Sequence, residues 1–333
     1  MVVNYSSAMK YAKLGQTGLN VSRLILGTMQ MGWLVDEETS HKLLDVALEA
    51  GLNTIDTADI YSKWAEESHS GKSEEIIGRW LVNQDRDEIV LATKVRGEMS
   101  PNPNDVGLSR KHILESITRS LDRLNTDYVD LYQSHSFDPE VSQEETLRAY
   151  TSLVDAGVVH YVGASNFTGA ELVDSFWTSD KHGLVRYESL QPPYSLARRR
   201  DYEKHLQPVI EMHNLGVISY SPLGGGFLTR RYSEDSAPES KRAATTKTRY
   251  YKERNFRIIE VLTEIATDRE ATVAQVALAW VLTRDTITAP IIGVNSVEQL
   301  KENLASLELK LSEDAIGRLN ESSDWTEVDQ MAR

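Results

Sequence analysis

The sequence predicts an α/β protein built as a single (β/α)8 barrel, with an N-terminal β-hairpin and two extra helices. Short β-rich runs alternate with amphipathic stretches eight times along the chain, and eight units are what closes a parallel barrel. The length of 333 residues suits one such barrel and can bury a sizeable core. No Gly-x-Gly-x-x-Gly follows the first strand, which argues against a doubly wound sheet.

Residues 10–23 open the chain with Tyr11-Ala12-Lys13-Leu14, a Gly-Gln-Thr-Gly turn and Leu19-Asn20-Val21-Ser22, the pattern of a hairpin that caps the bottom of the barrel. The β-rich runs lie near 24–28, 52–56, 89–94, 128–134, 158–164, 187–191, 216–220 and 289–293. Stretches with 3.6-residue spacing fall between them at 38–50, 71–83, 109–125, 143–156, 168–179, 202–214, 253–268 and 296–306. The extra helices are expected at 272–284 and near 312–320, the second after a Ser-Glu-Asp start signal. The longest irregular segment, 224–252, is rich in Gly, Ser, Thr and basic residues, as functional or mobile loops are. No linker-like tract divides the chain, so one domain is expected over 1–333.

Composition narrows the function classes. A net charge of −14 argues against a general affinity for nucleic acid or anionic membrane, so an anionic ligand must be held by local donors. The absence of cysteine removes disulfides, thiolate metal sites and a cysteine nucleophile. No segment approaches the roughly 20 apolar residues of a membrane helix. The N-terminus lacks the order of a signal peptide, which leaves the cytoplasm as the expected compartment.

Three early strands end in residues that titrate. Leu52-Asn53-Thr54-Ile55 leads to Asp56 and then Tyr61, Ile89 to Thr93 leads to Lys94, and Val129 to Gln133 leads to His135. In a barrel the C-terminal strand ends share one mouth, so these four side chains are expected to meet. A carboxylate keeps an ammonium charged, and the ammonium draws down the pKa of a neighbouring phenol. Asp56, Lys94 and Tyr61 thus form a candidate relay that readies Tyr61 as a general acid, with His135 orienting a carbonyl. Taken singly, the Asp is a cap, the His structural and the Lys a possible Schiff-base former. The combination is what points to proton chemistry.

Longer blocks extend the pattern. Asp56-Thr57-Ala58-Asp59-Ile60-Tyr61, Ala92-Thr93-Lys94, Asp130-Leu131-Tyr132-Gln133-Ser134-His135, Gly163-Ala164-Ser165-Asn166-Phe167, Gln191-Pro192-Pro193-Tyr194-Ser195, Tyr220 to Gly226, and Ile292-Gly293 through Glu302-Asn303 resemble, in order, the signature blocks of the aldo-keto reductases. The resemblance implies a TIM barrel that binds NADP(H), or NAD(H), and reduces an aldehyde, ketone or sugar carbonyl. It implies Tyr61 as proton donor, Lys94 and Asp56 as its tuners, and His135 as the carbonyl-positioning residue. It implies cofactor contacts at Gly27, Thr28, Met29 and Asp56, and a nicotinamide carboxamide held by Ser165, Asn166 and Gln191. Tyr220 would stack beneath the nicotinamide ring, and Ser221, Pro222, Leu223, Gly225 and Arg231 would attend the pyrophosphate. Gly293, Asn295 and Ser296, at a strand-to-helix start, with Gln299, Glu302 and Asn303, would contact the adenosine end.

The sequence also departs from the family pattern. Many relatives place basic residues at the adenosine 2′-phosphate, where this chain has Gly293, Asn295 and Gln299; the Lys241-Arg242 to Arg249 stretch is the substitute that favours NADP(H). Ser136 stands where a tryptophan is frequent, so a smaller, more polar wall is expected there. The short tail after Trp325 is expected to leave the mouth open on that side. Trp33, Trp64 and Arg96 are candidate substrate contacts. Arg198-Arg199-Arg200 is expected to be a solvated loop rather than a phosphate grip. His135 and Asp138 lack a third ligand, so no metal is expected. Two rivals remain: a redox-sensing subunit that keeps the fold, like the β subunits of voltage-gated potassium channels, and a Lys94 aldolase.

Overall fold

A computed structural model describes residues 9–233, 238–239 and 241–326. Strands β1 (Tyr11–Lys13) and β2 (Asn20–Ser22) form the antiparallel hairpin, with Tyr11 opposite Ser22. Eight parallel strands follow: β3 (Ile25–Gly27), β4 (Thr54–Asp56), β5 (Val90–Val95), β6 (Val129–Ser134), β7 (Val159–Ser165), β8 (Ser189–Gln191), β9 (Gly216–Ser219) and β10 (Ala289–Gly293). They pair in chain order, and β10 closes on β3 to complete the barrel. The predicted (β/α)8 architecture with its hairpin is what the structure adopts.

Helices α1 (Glu37–Glu49), α2 (Lys72–Leu81), α3 (Arg110–Leu124), α4 (Gln143–Asp155), α5 (Gly169–His182) and α6 (Gln207–His213) surround the barrel as its crossovers. Each of α1, α3, α4 and α5 begins where a side-chain oxygen stops the loop: Asp36, Ser109, Ser142 and Thr168 accept from an N3 backbone N–H. Thr168 and Glu171 close a reciprocal capping box. Before α6 the chain makes one turn of π-helix over Tyr202–Leu206, inside the stretch expected as plain α-helix. The wide turn spends an extra residue ahead of Pro208, which cannot donate to an ordinary helical ladder.

The segment 224–252 departs from the expected loop. Gly224–Thr229 form a 3-10 turn, and α7 (Ala243–Tyr250) is helical although only Thr246 and Tyr250 of it are buried. Its sequence has no apolar stripe, so periodicity could not reveal it. Instead Phe227, Tyr232, Tyr250, Tyr251 and Phe256 pack ring against ring and hold α7 to the turn. The chain ends with α8 (Glu253–Asp268), the two extra helices α9 (Val273–Leu282) and α11 (Glu313–Ser322), and α10 (Val297–Leu304) following β10. Both α9 and α11 pack on α8.

Two apolar clusters divide the interior. The larger lies between barrel and helices. The smaller fills the barrel bottom, where Leu14 and Val21 of the hairpin meet Ile25, Val90, Ala92, Leu131, Ile218, Ala289 and Ile291. Arg23 secures this end by donating to the carbonyls of Leu282, Ile287 and Thr288. With the bottom plugged, the C-terminal strand ends are the open face. Among the described residues no helix is long and apolar enough to cross a membrane.

Candidate active site

Asp56 ends β4, and Lys94 is the penultimate residue of β5. The β4–β5 ladder continues past the strand end through Thr57 N–H to Ala92 O (2.9 Å) and Asp59 N–H to Lys94 O (3.3 Å), which fixes the turn leading to Tyr61. Lys94 Nζ then donates to Asp56 Oδ2 (2.6 Å), to Thr57 O (2.8 Å) and to Tyr61 Oη (2.9 Å). Its three protons are all used. The group is shut from water: Lys94 is 0% exposed, Asp56 2% and Tyr61 8%.

Burial works against the Lys94 charge, but the Asp56 carboxylate and the Tyr61 oxygen overcome it and raise its pKa above the ordinary lysine range. For Tyr61 the balance differs from the sequence expectation. The ammonium does draw it down, yet burial is larger and Asp56 adds to it, so the net direction is upward. Tyr61 therefore holds its proton firmly at neutral pH. His135 follows β6, with its backbone N–H on Val95 O (2.9 Å), and its ring meets that of Tyr61 edge-on at 5.9 Å. Burial, and then the charges of Lys94 and Arg96, push its pKa down to about 3. The imidazole is neutral.

Sequence reasoning missed Gln133, which sits beside Lys94 in the β5–β6 register. Its Nε2 donates to Asp56 Oδ1 (3.2 Å), and Gln191 Nε2 donates to the same oxygen (2.8 Å) and to Gln133 Oε1 (3.1 Å). The signal was available: Gln133 shares the inward parity of His135, two residues on. Behind the turn that carries Tyr61 lies a second buried pair. Glu74 accepts from Thr93 Oγ1 (2.6 Å), Ser120 Oγ (3.3 Å) and Arg123 Nε (2.8 Å). The Asp59 carboxyl oxygens are buried with no hydrogen-bond partner among the described residues, and burial and then Glu74 raise the pKa of this group well above the carboxylate range.

From Tyr61 a cleft of about 610 Å³ runs across the mouth to Asn303 on α10. Along it lie Gly27, Thr28, Met29, Asp56, His135, Ser165, Asn166, Gln191, Tyr220, Ser221, Pro222, Leu223, Gly225, Arg231, Gly293, Asn295, Gln299 and Glu302. Lys94 stays behind Tyr61. Ser296 also stays off the cleft wall; it caps α10, its Oγ accepting from Gln299 N–H (3.3 Å). Ser165 Oγ donates to Gln191 O (2.8 Å), and Asn166, in the left-handed region at φ 55°, donates to His135 O (2.9 Å) and Ser165 Oγ (3.0 Å). Tyr220 Oη donates to Asn166 Oδ1 (2.9 Å). These bonds tie β6, β7, β8 and β9 together at the cleft floor.

The far side is basic. Gly224, Gly225 and Gly226 adopt φ of 59°, 66° and 94°, a conformation that side chains resist, and the N–H groups of Gly224 and Gly226 donate back to Ser221 O (2.9 Å) and Leu223 O (3.0 Å). Arg231, Arg242 and Arg249 line the cleft, and none forms an ion pair with a described acidic side chain. The Arg242 guanidinium lies 5.1 Å from the Trp33 ring centre and touches Met29 Sδ (3.8 Å). The Gln30 side chain packs over Gly293, where a Cβ would fall 2.0 Å from Gln30 Nε2 and displace that amide. Three arginines without an acidic partner among the described residues, converging on the cleft of a protein of net charge −14, suit a multiply charged anion such as a dinucleotide phosphate.

Of the candidate substrate contacts, Trp64 lines the cleft and packs edge-on against Tyr61 (6.1 Å) and Trp33 (5.7 Å). Arg96 instead turns away and donates to Phe137 O (3.2 Å). Arg199 corrects the expectation of a solvated arginine loop: it is bound to Glu203 (2.7 Å), Asn320 O and Ser323 Oγ, anchoring α11. No group of three or more metal-binding side chains occurs among the described residues. The tail beyond Thr326, on which the openness of one side of the mouth turns, lies outside them.

Comparison with known proteins places this geometry in context. The sequence profile of the aldo/keto reductase family matches residues 23–324. An uncharacterized oxidoreductase of Bacillus subtilis is 38% identical over 319 residues, covering 94% of this chain and 95% of that one. A Schizosaccharomyces pombe protein provisionally named a voltage-gated potassium channel subunit beta is 35% identical over 95% of this chain and 94% of its own. An aldo-keto reductase of Metarhizium robertsii is 34% identical, over 91% of this chain and 88% of its own.

Proposed function

This chain belongs to the aldo/keto reductase family, and from that premise we propose that it reduces an aldehyde or ketone to an alcohol with NADPH, Tyr61 being the general acid. The observation that carries the reading is the buried Asp56–Lys94–Tyr61 chain of bonds at the cleft floor. A bound nicotinamide would supply the hydride to the carbonyl carbon. The protein's part is to place the carbonyl and give the proton.

Tyr61 is suited to both halves of that task. Its raised pKa keeps the proton available at neutral pH. As the carbonyl oxygen becomes an alkoxide, the Tyr61 O–H bond breaks and the alcohol O–H forms. The phenolate left behind sits 2.9 Å from an ammonium already fixed by Asp56, so its charge needs no rearrangement to be stabilised. A neutral His135 can donate a ring N–H to the same carbonyl oxygen without repelling Lys94. Lys94 itself, charged and with its three protons engaged, is a poor amine nucleophile, which tells against the aldolase reading.

For the cofactor, Ser165, Asn166 and Gln191 suit the carboxamide, and Tyr220 suits the face of the ring. Ser221 to Gly225 with Arg231 suit the pyrophosphate, and Gln299, Glu302 and Asn303 the adenosine. Arg242 and Arg249 are the cations on which a preference for NADP(H) over NAD(H) rests. The whole chain acts as one domain. The test is Tyr61→Phe, expected to bind NADPH as wild type does while losing about 10²–10⁴-fold in turnover of an aldehyde panel. Turnover close to wild type in that variant removes Tyr61 as the acid. The 35% identity to the provisionally named channel subunit supports a second reading, a nicotinamide-binding sensor; tight NADPH binding by wild type with negligible turnover across the panel favours it.

A further inference from the structure

We propose that Gln133 is a positioning residue that fixes the orientation of the Gln191 amide, and so couples the Asp56–Lys94 pair to recognition of the nicotinamide carboxamide. The inference rests on the proposed NADPH-dependent activity and adds a residue to it.

The argument is one of donors and acceptors. Asp56, paired to an ammonium, is a carboxylate and can only accept. Its Oδ2 serves Lys94, which leaves Oδ1 for Gln133 and Gln191. Both amides must therefore turn their nitrogens toward it. Gln191 Nε2 has two hydrogens: one goes to Asp56 Oδ1, the second to Gln133 Oε1. Gln191 has no donor left. Its Oε1 accepts no hydrogen bond from any described residue, and Gln191 lines the cleft, so the atom offered to a ligand is an acceptor. A carboxamide NH2 is what such an atom takes.

Without Gln133, Asp56 alone cannot hold both hydrogens of the Gln191 amide. The amide can then swing about its terminal torsion, which is broad in glutamine, and present nitrogen or oxygen to the cleft. Gln133 is fully buried and lies beside Lys94 in the sheet register, where it reaches Asp56 and Gln191 at once. It does not line the cleft and has no hydrogen bond to Tyr61, so its influence on a ligand passes through Gln191.

The experiment measures binding by ligand-free protein, titrated with NADPH and separately with adenosine 2′,5′-bisphosphate, which lacks the nicotinamide. Gln133→Met, similar in volume but without an amide, is expected to weaken NADPH about 5–10-fold and leave the bisphosphate unchanged, since about one hydrogen bond is lost at the nicotinamide end alone. In the Gln133→Met/Gln191→Met pair the loss is expected to equal that of Gln191→Met, because Gln133 acts through Gln191. Equal weakening of both ligands, no weakening of NADPH, or additive losses in the pair overturns the proposal. Wild type that binds the bisphosphate but gains nothing from the nicotinamide overturns the proposed function together with it. If Gln133→Met does not fold by circular dichroism, Gln133→Asn, whose amide is one methylene short, must show the same selective loss.

Discussion

His135 offers a test that needs no substrate. Its ring titrates at about 3 in the folded chain, against about 6.5 for a free imidazole. Between those values the unfolded chain carries the proton and the folded chain does not. Acidification thus favours unfolding, by up to about 1.36 kcal/mol per pH unit for this one group. From pH 7 to pH 5 the full effect is about 2 kcal/mol, because the unfolded imidazole goes from mostly neutral to almost wholly charged. The ring is half-buried, so water reduces this to about 1–2 kcal/mol. The perturbation is His135→Gln, which keeps a polar group and is neutral at both pH values. Urea unfolding of both proteins at pH 7 and pH 5 gives four stabilities. Wild type is expected to lose about 1–2 kcal/mol more than the variant on acidification. Parallel losses would refute the neutral imidazole, and with it the account of how His135 coexists with Lys94.

Two further predictions concern the support behind the site. A Cβ at Gly78 would lie 1.9 Å from the Arg123 carbonyl oxygen, so α2 and α3 approach backbone to backbone there; Gly78→Ala is expected to cost about 1–3 kcal/mol in urea unfolding, and a stabilised variant would contradict it. Glu74→Leu leaves the Arg123 guanidinium, Ser120 and Thr93 without their buried acceptor, an expected loss of about 3–5 kcal/mol, and a loss below about 1 kcal/mol would show that the network contributes little.

The barrel was legible because its signal is repetition: strand runs and amphipathic helices recur, and serine, threonine and aspartate caps such as Ser109 and Thr168 punctuate them. That Asp56, Lys94, Tyr61 and His135 would be neighbours was legible for the same reason. Asp56 and Lys94 are polar residues at the ends of apolar runs, and a barrel sends all such ends to one mouth. Gln133 was not singled out, since a glutamine within a strand has many uses and only the register beside Lys94 shows which one applies. The helix α7 was hidden because its stability comes from rings far off in sequence, Phe227 and Tyr232, rather than from its own spacing. The upward shift of Tyr61 was hidden too. Which neighbours a residue has can be guessed from motifs, but how much water surrounds it depends on every loop at once.

The pairing of β3 with β10, Ile25 beside Ile291 and Gly27 beside Gly293, joins the first barrel strand to the last. A chain that stops after β9 has seven of the eight strands, and paired as in the barrel these leave an open parallel sheet with two bare edges. Its hairpin still lacks two walls of its seat, Ala289 and Ile291. The carbonyls of Leu282, Ile287 and Thr288 that bind Arg23 also arrive only at this point. Closure is a late event of very long sequence span, and long-range parallel pairing is slow and exposed to aggregation. Chains truncated just before Ala289 lose the staves that seal the cylinder and are left with edges ready to pair with one another.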